Sequence, residues 1–445
     1  MWLRDLLLLG STASICVVSL FNPVFGILAY FAYSFFSPHA YVYEAARNFP
    51  HAQSIAIATL VGYVFWKEPK RFPKDTILLL LLCLYGYFCM STVFSIFPDR
   101  ATTSLGHISK ILLMIVVALS IINTKERFLW LVRVFSFSIG AYGIKGGLFV
   151  LINGANHMIT GPYGSFLTAN TAFGLALAMN IPLLIFLIRI ESFTWLRWIE
   201  KAALVLAYPA IIGTFSRGAW LGLALVTLLI LLKSQYKILA FSFGVIFLIV
   251  APLWLPFILT DAVVNRFDQL VNYEEESSAV SRFWSWEFCA RVGISNPITG
   301  GGFQYYSTEM YAKYFPEFRD RWGYERVWSC HSMWLTILGE HGIGGFFLWL
   351  GLLGSSFLSL WNLRSKKNRS VEGEWVRYFS DMTAISLLGY LLMGTFLDVA
   401  YYEGFYLTIG LIIMAKNITK YSLIDDSKSH TSRHAFSRQA ISSSV

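Results

Sequence analysis

The chain has 445 residues, of which 56% are hydrophobic and only 14% are charged, and its formal net charge is +9 at pH 7. Its apolar residues come in long runs, which indicates a multi-pass membrane protein and excludes an ordinary soluble domain. In such a chain the positive charge is interpreted through the positive-inside rule of membrane topology, so we expect no nucleic-acid partner.

The long apolar segments predict an all-α, polytopic membrane protein with about 12 transmembrane helices and one long, partly helical periplasmic loop. The first two segments are separated only by Phe21-Asn22-Pro23, so they form either a hairpin or one kinked element. In chain order the segments lie near residues 6–20, 24–37, 52–66, 76–97, 105–122, 128–152, 169–190, 201–213, 219–232, 237–259, 331–361, 382–397 and 404–415.

The connections between the segments define the orientation, because basic connections alternate with neutral or acidic ones. We place the basic connections in the cytoplasm, as the positive-inside rule requires, and the others in the periplasm. The basic connections are residues 67–74, 123–127, 189–201, 233–237 and 364–369. The predicted organisation is N-terminal transmembrane helices at 1–259, a large periplasmic loop at 260–330, C-terminal transmembrane helices at 331–416 and a disordered cytoplasmic tail at 417–445.

The long loop is dense in aromatic residues. Its segment 281–292 predicts an amphipathic helix, one side of which carries Phe283, Trp286 and either Cys289 or Ala290. Two interpretations of the loop remain open: a cap whose aromatic side chains lie at headgroup level, or a lid over a substrate that is part lipid and part polar. Cys289 and Cys330 both lie in this loop, so a periplasmic location permits a disulfide.

The stretch from Trp328 to Gly345 joins this loop to the next hydrophobic segment and carries His331, Glu340 and His341. In a straight helix Glu340 and His341 would lie about 14 Å deeper than His331, near the middle of the bilayer. Ionisable groups at that depth are either functional or hydrogen-bonded to neighbouring helices. We interpret Glu340 and His341 as residues that orient the helix, and His331, at the mouth, as the catalytic residue.

Arginine residues on the outer side offer a bidentate guanidinium fork to phosphate. Arg217 lies in a very short outer connection, against the charge bias, and is either an anion clamp or a snorkelling anchor. Arg282 is either a second phosphate ligand or the partner of the acidic run at 274–276. Arg266 and Arg291 add further cations that we expect to contribute to substrate binding.

Two more residues are candidates for substrate binding. Lys145 lies between glycines within its segment and is predicted to face a cavity. Asn170 follows the turn 161–165, whose helix start would offer free amides to an anion, although an ordinary loop explains the turn as well. The outer loops contain no Asp-x-Asp pair, and neither a P-loop nor a dinucleotide fingerprint occurs, so we expect no metal and no nucleotide cofactor.

The residues after the long loop fit a known signature: His, then Asn, Ser or Gln, nine residues, Gly, two residues, and Gly, Thr or Tyr. In this the chain resembles the superfamily of bacterial O-antigen ligases, O-antigen polymerases and protein O-oligosaccharyltransferases. The positions of the signature are occupied by His331, Ser332, Gly342 and Gly345. Other stretches resemble the O-glycosylation ligase subgroup of exosortase-associated gene clusters, among them Asn48–Gln53, Tyr142–Gly147, Ser216–Ala219 and Thr299–Phe303.

The resemblance implies a metal-independent, membrane-embedded glycosyltransferase of the GT-C type in the bacterial inner membrane. Such an enzyme would transfer a glycan from undecaprenyl pyrophosphate, on the periplasmic side, to an acceptor hydroxyl. The outer-loop histidine of the family corresponds to His331, and its essential arginines correspond to Arg217 and Arg282, with Arg266 as a third.

We therefore expect a histidine, which is neutral near pH 7, to accept the acceptor proton, and arginines to stabilise negative charge on the leaving pyrophosphate. Besides membrane lipids and the lipid-linked donor, the expected partner is lipid A-core, which would make the protein an O-antigen ligase. A protein acceptor or a growing glycan would use the same donor and chemistry. The alternative from another class is a transporter of the lipid-linked glycan, although the sequence has no clear internal repeat of the transporter kind.

Overall fold

The computed structural model describes residues 3–154, 156–234, 277–365 and 373–420, and all regular secondary structure in these ranges is helical, as predicted. Before residue 235 the α-helices are α1 (Leu3–Phe21), α2 (Pro23–Phe36), α3 (Glu44–Asn48), α4 (His51–Phe65), α5 (Thr76–Val93), α6 (Pro98–Ile121), α7 (Lys125–Asn153), α8 (Asn170–Ile190), α9 (Thr194–Ile212) and α10 (Arg217–Lys233). After residue 276 they are α11 (Ser277–Ser295), α12 (Thr308–Tyr314), α13 (Pro316–Trp322), α14 (Met333–Leu363), α15 (Glu374–Gly394) and α16, at residues 403–420.

Within the described residues, six helices are long and apolar enough to cross a membrane, namely α1, α5, α6, α7, α8 and α14. Two shorter helices, α2 and α4, are also apolar. The chain is therefore a multi-pass membrane protein, and the total of about 12 spans stays a prediction. The predicted segment 237–259 and most of the predicted tail lie outside the described residues, while α16 runs four residues past the boundary predicted at 416.

The first two apolar segments form two separate helices that pack against each other. The side chain of Asn22 caps α2 by accepting a hydrogen bond from the Phe25 N–H at 3.1 Å, and Pro23 occupies the first helical position. A capping residue followed by proline is a strong helix start, so the chain ends α1 here and begins again. Of the two arrangements that the sequence allowed, the structure has the hairpin.

The described part of the outer loop, residues 277–332, has a hydrophobic core of its own, and we call this part the outer module. In this core the rings of Phe288 and Tyr311 stack with centroids 3.7 Å apart. A disulfide joins Cys289 to Cys330, so the pairing that the sequence permitted is present. The buried hydrophobic residues of this core are Phe288, Cys289, Val292, Tyr305, Met310, Tyr311, Phe315, Phe318 and Cys330.

The sequence predicted the helix α11 correctly but was only partly right about its apolar side, of which Cys289 is fully buried. Ser285, Phe288 and Val292 are fully buried, whereas Phe283 is 58% exposed. The error arose because the helix packs on the core of the outer module, which forms only when α12 and α13 fold against it. Several aromatic residues expected at headgroup level or above a substrate instead fill the interior of this module.

Helix α14 is broken at Gly342, whose φ of +68° and ψ of −170° suit glycine and almost no other residue. A break in a helix leaves backbone groups without their usual partners, and the loop 296–304 supplies replacements. The replacement hydrogen bonds run from Gly301 N–H to Gly339 O (2.8 Å), from Gly302 N–H to Glu340 O (2.9 Å) and from Ile343 N–H to Pro297 O (2.8 Å).

The two halves of α14 fold towards each other at this break. Trp334 and Trp349 would be separated by about 22 Å along a straight helix, yet their ring centroids lie 5.3 Å apart. The break at Gly342 comes after Glu340 and His341, so their predicted position near mid-bilayer stays a prediction. His341 contacts Ser91, within the last turn of α5.

Candidate active site

His331 lies between two fixed points of the chain. The preceding residue, Cys330, is held by the disulfide, and the following residue, Ser332, is buried at the start of α14. The backbone of His331 has a φ of +48°, a left-handed conformation that costs a non-glycine residue about 1–3 kcal/mol and is frequent at functional sites. Its side chain is 44% exposed, so the imidazole is positioned by the backbone but remains accessible.

Two tyrosines, one fully buried and one partly buried, contact the Cys330 sulfur. The hydroxyl groups of Tyr305 and Tyr306 lie 3.7 and 3.4 Å from the Cys330 sulfur. Burial raises the pKa of Tyr305 and of Tyr306 well above the ordinary phenol value, and the negative charge of Glu340 adds to the effect. Both phenols therefore stay protonated and remain hydrogen-bond donors beneath the catalytic candidate.

Among the described residues, Asp398 is the carboxylate that pairs with His331. Its Oδ2 lies 3.5 Å from His331 Nδ1, and its Oδ1 accepts a hydrogen bond from the Thr336 hydroxyl at 2.9 Å. The hydroxyl of Ser329 also donates to this carboxylate. Because Nδ1 faces the aspartate, Nε2 is the ring nitrogen that remains for a substrate, which is the arrangement of a histidine base with an orienting carboxylate.

Glu340 and His341 belong to a separate, buried network centred on Tyr401. The Tyr401 hydroxyl donates to Glu340 Oε2 at 2.5 Å, and His341 Nε2 lies 2.7 Å from the same hydroxyl oxygen. His341 Nδ1 lies 2.7 Å from the Ser91 hydroxyl, and Glu340 Oε1 accepts the Gln304 backbone N–H at 3.0 Å. These contacts are of the kind that the predicted helix-orienting role requires, since they tie α14 to α5 and to the segment 395–402.

Arg217 is the first residue of α10 and is half-buried. Five residues further along, Gly222 packs against Met393 near the end of α15. The next residue, Gly394, packs against the first residue of α14, two positions after His331. The start of α10 and the start of α14 therefore lie at the same end of the helix bundle.

Arg282 is half-buried on α11, one helical turn before Trp286. The ring centroid of Trp286 lies 6.1 Å from that of Phe396, two residues before Asp398. The helices that carry Arg217 and Arg282 thus both pack against one short segment, residues 393–398, and His331 contacts Asp398 in the same segment. The alternative partner of Arg282, the acidic run at 274–276, lies outside the described residues.

Arg291 is engaged by two carboxylates of the outer module. Its guanidinium contacts Glu287 at 2.6 Å and Glu317 at 3.2 Å, and it lies over the Phe315 ring at 4.3 Å. Hydrogen bonding to Glu287 raises the pKa of Arg291 above its ordinary value. These contacts join α11 to α13 and give Arg291 a structural role, while its part in substrate binding stays a prediction.

Of the other residues predicted to bind substrate, the two that the structure describes, Asn170 and Lys145, contact residues other than His331 and Asp398. The side-chain amide of Asn170 donates to the Thr214 carbonyl at 2.8 Å, which ties the start of α8 to the turn before α10. Lys145 lines a cavity of about 490 Å³, with its ammonium 4.8 Å from the centroid of the Tyr41 ring. Arg266 lies outside the described residues, so its role stays a prediction.

Sequence reasoning missed Asp398 and Tyr401, which both lie on the connection between α15 and α16. The available signal was weak: two acidic residues, Asp398 and Glu403, in the short connection 398–403 between two apolar segments. Among the residues that the structure describes, no group of three or more His, Cys, Asp and Glu is placed to hold a metal ion.

Comparison with known families gives two matches that together cover most of the chain. Residues 202–350 match the family model described as O-Antigen ligase, and this segment includes Arg217, Arg282 and His331. Residues 3–192 match a family of unknown function, DUF5935. No curated protein sequence matches the chain.

Proposed function

Since the chain belongs to the O-antigen ligase superfamily through its segment 202–350, we propose that it transfers a polysaccharide from undecaprenyl pyrophosphate to a hydroxyl of lipid A-core at the periplasmic face of the inner membrane. The observation that carries the proposal is the position of His331. This residue occupies the histidine position of the ligase signature, and it faces Asp398 at 3.5 Å while its side chain stays partly exposed.

The reaction joins the acceptor oxygen to the anomeric carbon of the donor sugar and breaks the bond between that carbon and the pyrophosphate oxygen. The acceptor hydroxyl loses a proton in this step, and His331 Nε2 accepts it. Asp398 orients the imidazole through Nδ1 and stabilises the positive charge that the ring acquires. A well-placed general base such as His331 accelerates a reaction by about 10²–10⁴-fold. The proton leaves to solvent after product release.

The leaving pyrophosphate gains negative charge as its bond to carbon breaks. Arg217 and Arg282, whose helices both pack against residues 393–398, are the cations that would bind it, because a guanidinium matches phosphate oxygens with two parallel hydrogen bonds. A fixed donor at such a position contributes about 3–4 kcal/mol to transition-state stabilisation. We propose that these arginines neutralise the leaving group without a divalent metal.

The periplasmic orientation is supported by the disulfide between Cys289 and Cys330. Disulfides persist in oxidising compartments such as the bacterial periplasm and are rare in the cytosol. The outer module carries this disulfide, and His331 follows Cys330 directly in the chain. A periplasmic outer module therefore places the catalytic candidate on the side where the proposed donor presents its glycan.

The test is transfer by the purified protein in proteoliposomes that contain undecaprenyl pyrophosphate-linked glycan and lipid A-core. We expect the wild type to form glycosylated lipid A-core and to keep this activity in EDTA, and we expect His331→Ala to lose it by about 10²-fold or more. His107→Ala is the matched control, since His107 is an exposed histidine on α6.

Three results would overturn parts of the proposal. Full activity of His331→Ala removes the histidine from the chemistry. Transfer to a protein or to a growing glycan, with none to lipid A-core, changes the acceptor. Movement of the lipid-linked glycan across the membrane without any glycosidic product assigns the protein to the transporters.

A further inference from the structure

A cavity between residues 40–41, α7 and residues 159–163 is not used by the proposed chemistry. It has a volume of about 490 Å³, which is within the range that holds a small-molecule ligand. Its walls are mostly aromatic and aliphatic, and Lys145 is the charged residue among them. The lining includes Tyr41, Tyr142, Leu148, Phe149, Ile152 and Tyr163.

Lys145 lines this cavity, and a second cation, Arg47, lies outside the lining but over one of its aromatic rings. The ammonium of Lys145 lies 4.8 Å from the centroid of the Tyr41 ring, and the guanidinium of Arg47 lies 5.2 Å from the centroid of the Tyr163 ring. Among the residues whose side chains the structure describes, neither forms an ion pair with a carboxylate. The rings of Tyr41 and Tyr163 attract the two cations by cation–π interaction. This interaction leaves the N–H groups of Lys145 and Arg47 to donate hydrogen bonds to an anion.

The cavity is also open to the apolar surroundings of the bundle. Leu148 and Phe149 are 46% and 43% exposed, and Ile152, one turn further along α7, is 80% exposed. A ligand with an apolar chain can therefore enter along this face of α7, since apolar side chains exposed on a membrane helix face lipid. The combination of two cations with an apolar opening suits a lipid that carries a phosphate.

The segment that follows one wall of the cavity contacts the connection that carries Asp398. Residues 159–163 line the cavity, and a few residues later Phe166 stacks on Tyr402 with ring centroids 5.0 Å apart. Tyr402 directly follows Tyr401 in the segment 395–402, which also carries Asp398. One loop therefore separates this cavity from the residues that position His331.

We propose that the cavity binds a polyprenyl phosphate, with the phosphate between Lys145 and Arg47 and the first isoprenoid units against α7. The proposal rests on the proposed function, because it makes the cavity a docking site for the lipid carrier of the donor. In this role the site would receive the carrier lipid from the bilayer beside the loop that leads to the catalytic residues. This lipid-binding site would be separate from the site where Arg217 and Arg282 contact the leaving pyrophosphate.

Binding of undecaprenyl phosphate to the purified full-length chain, measured by native mass spectrometry, tests the proposal. We expect Lys145→Met to bind this lipid about tenfold more weakly than the wild type, which is the effect of losing one charge-assisted contact. Undecaprenol, which has the same chain without phosphate, should bind both proteins equally and weakly. Leu148→Trp should also weaken binding, because it fills the cavity while keeping the cation.

Lys125→Met is the matched control. Lys125 lies on the same helix and its ammonium also lies over an aromatic ring, 5.7 Å from the centroid of Trp375, but at the other end of α7. Its loss should leave lipid binding unchanged. If Lys145→Met and Lys125→Met have the same midpoint of thermal unfolding, a difference in their lipid binding does not come from a difference in stability.

The proposal is overturned if Lys145→Met and Leu148→Trp both bind undecaprenyl phosphate as the wild type does. It is also overturned if phosphatidylglycerol or inorganic phosphate displaces the lipid at equal concentration, because the site would then be a general phospholipid or anion site. Binding needs no transfer, and His331→Ala should bind normally. A failure here is therefore distinguishable from a failure of the proposed transferase activity.

Discussion

At the scale of single residues, the site depends on how firmly His331 is held. The disulfide at Cys330 fixes the backbone on one side and the start of α14 fixes it on the other. Asp398 then sets the direction of the ring, and it is itself held by the hydroxyls of Ser329 and Thr336. An exposed histidine with this support keeps one geometry without being buried.

Asp398→Asn tests the orienting role. We expect kcat for glycan transfer to fall by about 10²-fold with little change in the KM of donor or acceptor, because the amide cannot stabilise the imidazolium that forms during the reaction. Steady-state kinetics of the reconstituted protein would measure this. Thr336→Val is the control: it removes one hydrogen bond to Asp398 but keeps the carboxylate, so kcat should fall by less than about tenfold. Equal losses in the two variants would contradict the assignment.

At this scale the sequence predicts only part of the site. His331 could be identified because it opens a signature and follows a long polar loop. Asp398 and Tyr401 could not, because they lie more than sixty residues further along and meet α14 only when the segment 395–402 folds against it. A contact of this kind depends on how two connections pack, and no local pattern encodes it.

At the scale of elements, the break in α14 is the feature that shapes the site. The signature glycine Gly342 is the residue at the break, and the carbonyl oxygens of Asn296 and Pro297 occupy the space where a side chain would be. Gly342 thus allows the loop 296–304 to approach α14 closely. The break itself was not predictable, because a glycine in an apolar run is compatible with a continuous helix.

Gly342→Ala should destabilise the fold, because alanine is strained at a φ of +68° and its Cβ would lie 2.5 Å from the Pro297 oxygen. We expect the free energy of unfolding in detergent to fall by about 2–4 kcal/mol, with loss of transfer activity. Gly354→Ala, on the same helix, is the control, because nothing lies within 4 Å of its Cβ position. It should be neutral or slightly stabilising, and a similar loss in both variants would show that the break is not required.

At the scale of the whole molecule, the chain combines a bundle of apolar helices with an outer module that has its own core and disulfide. Composition predicted the membrane class and the helical fold, because an apolar segment in a bilayer must satisfy its own backbone hydrogen bonds, and a helix does so. The internal packing of the outer module was not predictable, since it depends on contacts among α11, α12 and α13. The module places His331 at the end of the bundle where α10, α14 and α15 meet.

The orientation of the molecule can be tested with a variant whose free cysteines Cys16, Cys83 and Cys89 are replaced by alanine. In intact spheroplasts, a membrane-impermeant maleimide should label this variant only after treatment with a reductant, because Cys289 and Cys330 are then released on the periplasmic side. Labelling without reductant would show that the disulfide is absent in the cell. Labelling only after lysis would place the outer module in the cytoplasm.

The most direct test of the catalytic account is the structure of the protein with bound undecaprenyl pyrophosphate, determined by electron cryomicroscopy in nanodiscs. The account predicts density for the two phosphates in contact with Arg217 and Arg282. The phosphate that carries the sugar in the donor should be the one turned towards His331 Nε2. Phosphate density remote from both arginines, or on the cytoplasmic side of the bundle, would contradict it.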